Sequence, residues 1–151
     1  MNASSEPVGS LATALAHTQR LMTSEPQLAA EQATEILKVA PGHPLATLLL
    51  GVALRRSGDA ATSQAVLEPL AQSQPNWAAA HYELGLTRGA RRDGDGAVAA
   101  LRRAVSLKPE MPDAWRALGD HLTAMGDASG ADDAYAQHIK FSTHDPRLME
   151  A

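Results

Sequence analysis

Trp115-Arg116-Ala117-Leu118-Gly119-Asp120-His121-Leu122 carries its bulky apolar residues three to four positions apart. That spacing puts Trp115, Leu118 and Leu122 on one face of a helix. Gly119 lies among them, although a glycine costs a helix interior about 1 kcal/mol relative to alanine. The same Leu-Gly pair recurs as Leu84-Gly85 and Leu50-Gly51, each 34 residues from the next. Pro41, Pro75 and Pro109 keep the same step, and so do Ala12, Ala46, Ala80 and Ala114. Self-similarity at this period indicates stacked repeats. Such arrays work by offering a long surface to a partner.

Three glycines in register inside helices need a reason, and close approach of a second helix supplies one. Twelve residues after each glycine a second amphipathic pattern is running: Ser63-x-x-x-Leu67, Ala97-x-x-x-Leu101, Ala131-x-x-x-Tyr135. Small residues one turn before large ones let two antiparallel helices pack closely. Gly58-Asp59 and Gly126-Asp127 supply turn and N-cap signals between the paired helices. The in-step prolines close each unit, because a helix rarely runs through proline. Paired helices are expected at about 8–22 and 26–39, 44–57 and 61–73, 78–91 and 95–107, 112–125 and 129–142. Ser24 with Pro26 reads as a helix start, and Pro44 and Pro112 suit first-turn positions. Pro69 falls inside a second helix, so a kink or an early end is expected there.

The pattern resembles the tetratricopeptide repeat, a helix-turn-helix unit of this period spelled W-x2-L-G-x2-Y, A-x3-F, P. The unit 112–145 matches through Trp115, Leu118, Gly119, Ala131 and Tyr135, with Leu122 for the tyrosine and Thr143 at the closing proline. The unit 78–111 keeps Leu84, Gly85, Ala97, Leu101 and Pro109, with His81 for the tryptophan and Arg88 for the tyrosine. The unit 44–77 keeps Leu50, Gly51 and Pro75, with Thr47, Leu54 and Ser63 as departures. The unit 10–43 is degenerate: Ala16 and His17 replace Leu-Gly, while Ala29, Ala33 and Pro41 fit. The resemblance implies an all-α fold, a right-handed superhelical stack of helix-turn-helix hairpins. It gives one domain of four units over 10–145, a disordered N-terminus at 1–9, and the truncated start of a further helix at 146–151.

Composition agrees. Aromatic residues are only 3% of the chain, which suits thin helix pairs with small side chains at their contacts. No apolar run is long enough to span a membrane, and the polar start Met1–Pro7 lacks the layout of a signal peptide. Cysteine is absent, which excludes disulfides and thiolate ligands. A cytoplasmic location is the default. Residues 78–111 carry six basic and four acidic side chains, residues 112–151 three and seven. The arginines Arg88, Arg91, Arg92, Arg102 and Arg103 read as a solvated helix face, since a net charge of −4 disfavours phosphate-backbone binding. No nucleic-acid partner is expected.

No catalytic constellation is present, so the chain reads as no enzyme, with no cofactor and no metal. None of His17, His43, His81, His121, His138 and His144 forms a helical i, i+4 pair around a glutamate. His81, in the tryptophan slot, reads as a packed or half-buried side chain. Asp93-Gly94-Asp95-Gly96 lacks the closing glutamate of a calcium loop, Ala104 standing in its place, and reads as an inter-helix turn.

In stacked repeats of this family the first helix of each pair lines the concave side. The resemblance places Leu45, Leu48, Val52 and Arg55 there, then Ala79, Tyr82, Leu86 and Gly89, then Asp113, Arg116, Asp120 and Thr123. Leu45, Leu48, Val52, Arg55, Tyr82, Leu86, Arg116 and Asp120 are the candidate partner-binding residues, for a protein or peptide. The apolar stripe suits a helix or an extended apolar segment, or it is covered by the degenerate first unit or a neighbouring domain. The family's carboxylate clamp is not built here: the only asparagines are Asn2 and Asn76.

The last helix carries Ala131, Ala134, Tyr135, His138 and Ile139. An exposed apolar end implies self-association through the C-terminal repeat, or a fold-back of residues 145–151 over that face. The run Ala134–Lys140 leading to Asp145-Pro146-Arg147-Leu148 is similar to the repeat region that precedes a sulfotransferase domain in some bacterial proteins. The expected function is a protein–protein interaction or scaffold module; the alternative is a non-catalytic accessory module that orients a polypeptide for an enzyme.

Overall fold

The structure, a computed structural model, describes residues 6–143, with side chains described from Ser10 onward. Eight helices make up the described residues, and no strand is among them. The chain divides into two compact units, Met1–Ser73 and Gln74–Ala151. The first holds α1 (Glu6–Ser24), α2 (Pro26–Val39), α3 (Pro44–Arg56) and α4 (Ala60–Ser73). The second holds α5 (Ala78–Ala90), α6 (Gly94–Leu107), α7 (Pro112–Ala124) and α8 (Ala128–Ser142). The expected boundary at residue 10 falls inside α1; residues 1–5 and the segment 146–151 lie outside the described residues.

Six of the eight helices are started by local chemistry. Pro26, Pro44 and Pro112 occupy first-turn positions, where a missing N–H costs nothing. Asp59, Asp93 and Asp127 stand in step before α4, α6 and α8. Their carboxylates accept from Thr62 N (3.1 Å), Gly96 N (2.9 Å) and Gly130 N (2.9 Å). Those bonds satisfy donors that the first turn leaves open. The two hydrogen bonds from Thr62 hold the Asp59 carboxyl below its ordinary value. Gly58 and Gly126 take the left-handed backbone, at φ +97° and +83°, that ends a helix and turns the chain.

The in-step glycines are contact points between paired helices. A methyl group on Gly51 would run into the Leu67 side chain. On Gly85 it would lie 2.8 Å from Leu101 Cγ, and on Gly119 2.6 Å from Tyr135 Cε1. Each glycine thus receives the large residue sixteen positions later. The small residue twelve positions later sits beside it: Ser63, Ala97 and Ala131 are all buried. Ser63 does more than fit, because its Oγ donates to the Gly51 carbonyl at 2.6 Å. The hydroxyl therefore leaves no unmet polar group in the core.

In the first hairpin the small–large relation is reversed. His17 stands in the glycine slot and Ala33, fully buried, in the leucine slot. Exchanging which partner is large conserves volume, the condition under which a core accepts substitution. Ala46, Ala80 and Ala114 are fully buried in step, whereas Ala12 is exposed. The first unit keeps the period without keeping the full contact.

Helix α4 runs through Pro69 to Ser73 without ending there. Pro69 and Ala65, whose carbonyl loses its donor, are both exposed, a setting in which a lost backbone bond costs less than in a core. Gly96 belongs to the first turn of α6, where a methyl group would strike the Asp93 carboxylate and approach Arg88 Cδ at 3.0 Å.

Candidate functional site

In the second unit the candidate surface is the outward side of α5 and α7, two helices that touch directly. Gly89 makes the approach possible: a methyl group there would lie 2.6 Å from His121 Nε2. The repeat step sets Tyr82 in register with Arg116, and Leu86 with Asp120. Ala79, Tyr82, Leu86 and Gly89 are half-buried, while Asp113, Arg116, Asp120 and Thr123 are exposed. Tyr82 packs with Trp115 and Ala117 against the core built on Leu101, Leu118 and Leu122. The surface is therefore a packed, partly apolar row on α5 beside a fully solvated, charged row on α7.

One side chain of that surface is oriented from behind. Tyr135 on α8 occupies the slot that Leu67 and Leu101 fill elsewhere, and its ring lies on Gly119. A phenol is longer than an isobutyl group, so its hydroxyl emerges on the α7 side. There it donates to Asp120 Oδ1 at 2.6 Å and lies 3.4 Å from Thr123 Oγ1. Thr123 in turn donates to the Gly119 carbonyl at 2.9 Å. The bond to Asp120 raises the tyrosine above its ordinary value of 10.0, against a smaller opposing pull from Thr123. A raised value means the folded state holds the proton more tightly. The stabilisation is full below the unfolded tyrosine value and is lost as pH rises through the folded one. Urea midpoints between about pH 9 and pH 11 should fall more steeply for the native chain than for Tyr135→Phe. Parallel curves would show that the Asp120 bond carries no linkage.

In the first unit the outcome is different. Leu45 and Arg55 are half-buried, but Leu48 is 8% exposed and Val52 6%. Helix α3 is packed by α1, α2 and α4, and these two side chains belong to that core. Leu48 and Val52 are interior residues as the unit stands, the case in which the first unit covers the stripe. Spacing could not separate a lining position from a core position, because both need an apolar residue on the same face.

Three of the histidines have hydrogen-bond partners. His81 Nε2 contacts the Pro75 carbonyl at 2.9 Å, and Trp115 Nε1 donates to the Pro109 carbonyl at 2.7 Å. His81, half-buried as expected, thus reproduces in its own repeat the bond that the indole makes one step later. His43 Nδ1 accepts from Ala46 N at 3.2 Å and caps α3. His138 Nδ1 lies 2.8 Å from the Pro112 carbonyl. A surface that spacing did not reveal is an open depression of about 570 Å³ between α2 and α3, with Leu28, Leu50 and Leu54 beside Glu31, Glu35 and Lys38. The signal for it is structural: Leu50 is half-buried where its counterparts Leu84 and Leu118 are buried.

The family profile described as tetratricopeptide repeat matches residues 23–76 and 82–146. Among solved structures, MamA from Desulfovibrio magneticus RS-1 (residues 41 to the end) is similar with a TM-score of 0.78 at 22% identity. That match covers 90% of this chain and 77% of that one. A further MamA structure gives 0.76 at 20% identity, over 87% and 78%. At these identities the likeness shows the fold alone. No curated protein matches the sequence.

Proposed function

From the premise that the chain belongs to the tetratricopeptide-repeat family, we propose that it is a protein–protein interaction module and not an enzyme. A polypeptide segment docks on the α5–α7 face of the second unit. The observation that carries this reading is the pairing of a half-buried apolar row, Tyr82 and Leu86, with an exposed charged row in which Tyr135 orients Asp120. Fixed carboxylates and packed aromatics cost a partner little ordering on binding. Arg116 adds a second charge of opposite sign to the same row. In the first unit, by itself, Leu45 and Arg55 are the half-buried candidate positions.

The four-unit division at 10–43, 44–77, 78–111 and 112–145 is part of this proposal. So is a cytoplasmic setting; among the described residues no helix is long and apolar enough to cross a membrane. Self-association through the C-terminal repeat is a smaller part. Ala131 is buried and Tyr135 packs on Gly119, which leaves Ile139, 60% exposed, as the apolar residue of that face. The sulfotransferase-associated reading has no observation in its favour.

Peptides selected from a random displayed library against the whole chain test the proposal. Their affinities should fall by about tenfold, or 1.4 kcal/mol, for Leu86→Gln and for Arg116→Glu. They should be unchanged for Arg102→Glu on α6, with helical circular dichroism preserved in all three. Peptides that bind Leu86→Gln and Arg116→Glu as tightly as the native chain would move the binding surface elsewhere.

A further inference from the structure

The turn between paired helices occurs three times with one geometry, and one copy departs from the others in chemistry. In each, the N–H of the capping aspartate reaches back five residues: Asp59 to the Leu54 carbonyl (2.8 Å), Asp93 to Arg88 (2.9 Å), Asp127 to Leu122 (2.9 Å). The residue before the aspartate donates to the carbonyl three before it: Gly58 to Arg55 (3.1 Å), Arg92 to Gly89 (3.0 Å), Gly126 to Thr123 (3.0 Å). This hydrogen-bond pattern places the residue before the aspartate in the left-handed region, where glycine is the usual occupant. Gly58 and Gly126 satisfy that demand, but the middle copy holds Arg92 at φ +62°.

Arg92 is not alone. The neutral positions Leu54, Ser57 and Gly58 of one turn, and Leu122, Met125 and Gly126 of another, are all arginine in the middle one: Arg88, Arg91 and Arg92. The two sister turns are internal controls, and they close on the same hydrogen bonds with leucine, serine or methionine, and glycine at these three positions. The scaffold therefore does not call for these charges. Arg88 is half-buried, with Nη1 donating to the Gly96 carbonyl at 3.3 Å, while Arg91 and Arg92 are exposed. The Asp93 carboxylate is engaged in capping α6. Side chains held in sparsely populated backbone regions mark places where the group itself is used.

We propose that the α5–α6 turn is a docking point for an acidic segment of a partner polypeptide, with Arg91 and Arg92 as its carboxylate-binding groups. Glycine would fit the backbone at position 92 better, and what it lacks is the charge. Guanidinium groups take carboxylates in paired, charge-assisted hydrogen bonds. A nucleic acid is the less suited partner: the chain carries a net charge of −4, and Asp93 and Asp95 interrupt the turn with the wrong sign for a continuous phosphate backbone. A polypeptide can place its carboxylates singly between them. Neither Arg91 nor Arg92 belongs to the α5 and α7 rows named above.

The test uses the whole chain, anisotropy titrations at low salt, and three labelled probes: a glutamate-rich peptide, its glutamine counterpart, and a single-stranded oligonucleotide of the same charge. Arg92→Gly should melt higher by about 2–4 °C and bind the glutamate-rich peptide about tenfold more weakly, the effect of losing one charge-assisted bond. Arg92→Lys keeps the backbone cost and the charge, so it should gain no stability and bind within a few-fold of the native chain. The triple change Arg88→Leu, Arg91→Ser, Arg92→Gly, which copies the first turn at those three positions, should abolish binding with the fold intact. Arg102→Ser, elsewhere on α6, should leave binding unchanged. The proposal is overturned if Arg92→Gly melts no higher or binds the peptide as before. It is also overturned if Arg102→Ser weakens binding as much as Arg92→Gly does. Tighter binding of the oligonucleotide than of the peptide, lost in the same variants, would replace it with a phosphate-reading surface.

Discussion

Gly85→Leu destabilises the chain by at least about 1–3 kcal/mol, the usual cost of overpacking. The structural reason is specific. A single added methyl group would already lie 2.8 Å from Leu101 Cγ and 3.4 Å from the Ala97 carbonyl oxygen. Leu101 is fully buried, so it has nowhere to go, and a backbone carbonyl cannot yield without moving α6. A leucine adds three more carbons to that collision. Gly94→Ala is the matched control, since its methyl group would meet Met125 Sδ at 3.6 Å, an ordinary contact. Thermal melts of the two variants should separate by the full overpacking cost. A Gly85→Leu protein that melts with the native chain would remove the packing role of all three in-step glycines.

Leu48→Asp should unfold the first unit. Its side chain is 8% exposed on a helix packed by three others. A carboxylate there is left without solvent, and the leucine volume is left empty; we expect a loss of about 4 kcal/mol or more, at the upper end of single substitutions. Limited proteolysis should then cut within Met1–Ser73 first. A Leu48→Asp chain that folds normally and loses only partner affinity would restore Leu48 to a binding surface.

Most of the fold could be read from the sequence because the period does the reading. One helix is ambiguous, but Leu50-Gly51, Leu84-Gly85 and Leu118-Gly119 in step, with small and large residues twelve and sixteen positions on, define a hairpin and its contact. The helix starts at Pro26, Pro44 and Pro112 were legible for a local reason: proline at the first turn omits only a bond that would not form. Of the two outcomes expected at Pro69, a kink or an early end, the early end does not occur, since α4 continues to Ser73. At Gly96 the space is taken by the capping carboxylate of Asp93, which spacing does not show.

The binding surface was less legible than the fold. On α7, exposure agrees with the sequence pattern because charged residues can only sit outside. On α3, Leu48 and Val52 carry no such signal, and only the packing of α1 and α2 assigns them to the core. Tyr135 could be placed as a large partner for Gly119, but not as the donor that orients Asp120. That role comes from the extra length of a phenol over the leucines in step with it.

Both tryptophans of the chain, Trp77 and Trp115, fall in the Gln74–Ala151 unit. Trp115 is half-buried, with its indole N–H bound to the Pro109 carbonyl, and Trp77 is half-buried at the start of α5. Intrinsic indole emission is therefore a reporter of one unit, whereas far-ultraviolet ellipticity sums over all eight helices. For a chain with Leu48→Asp the two signals should part company, ellipticity dropping at a temperature where emission is still native. Coincident curves would instead mark a single cooperative transition spanning both units. The placement of two side chains thus turns an ordinary pair of optical measurements into a measurement of cooperativity along the array.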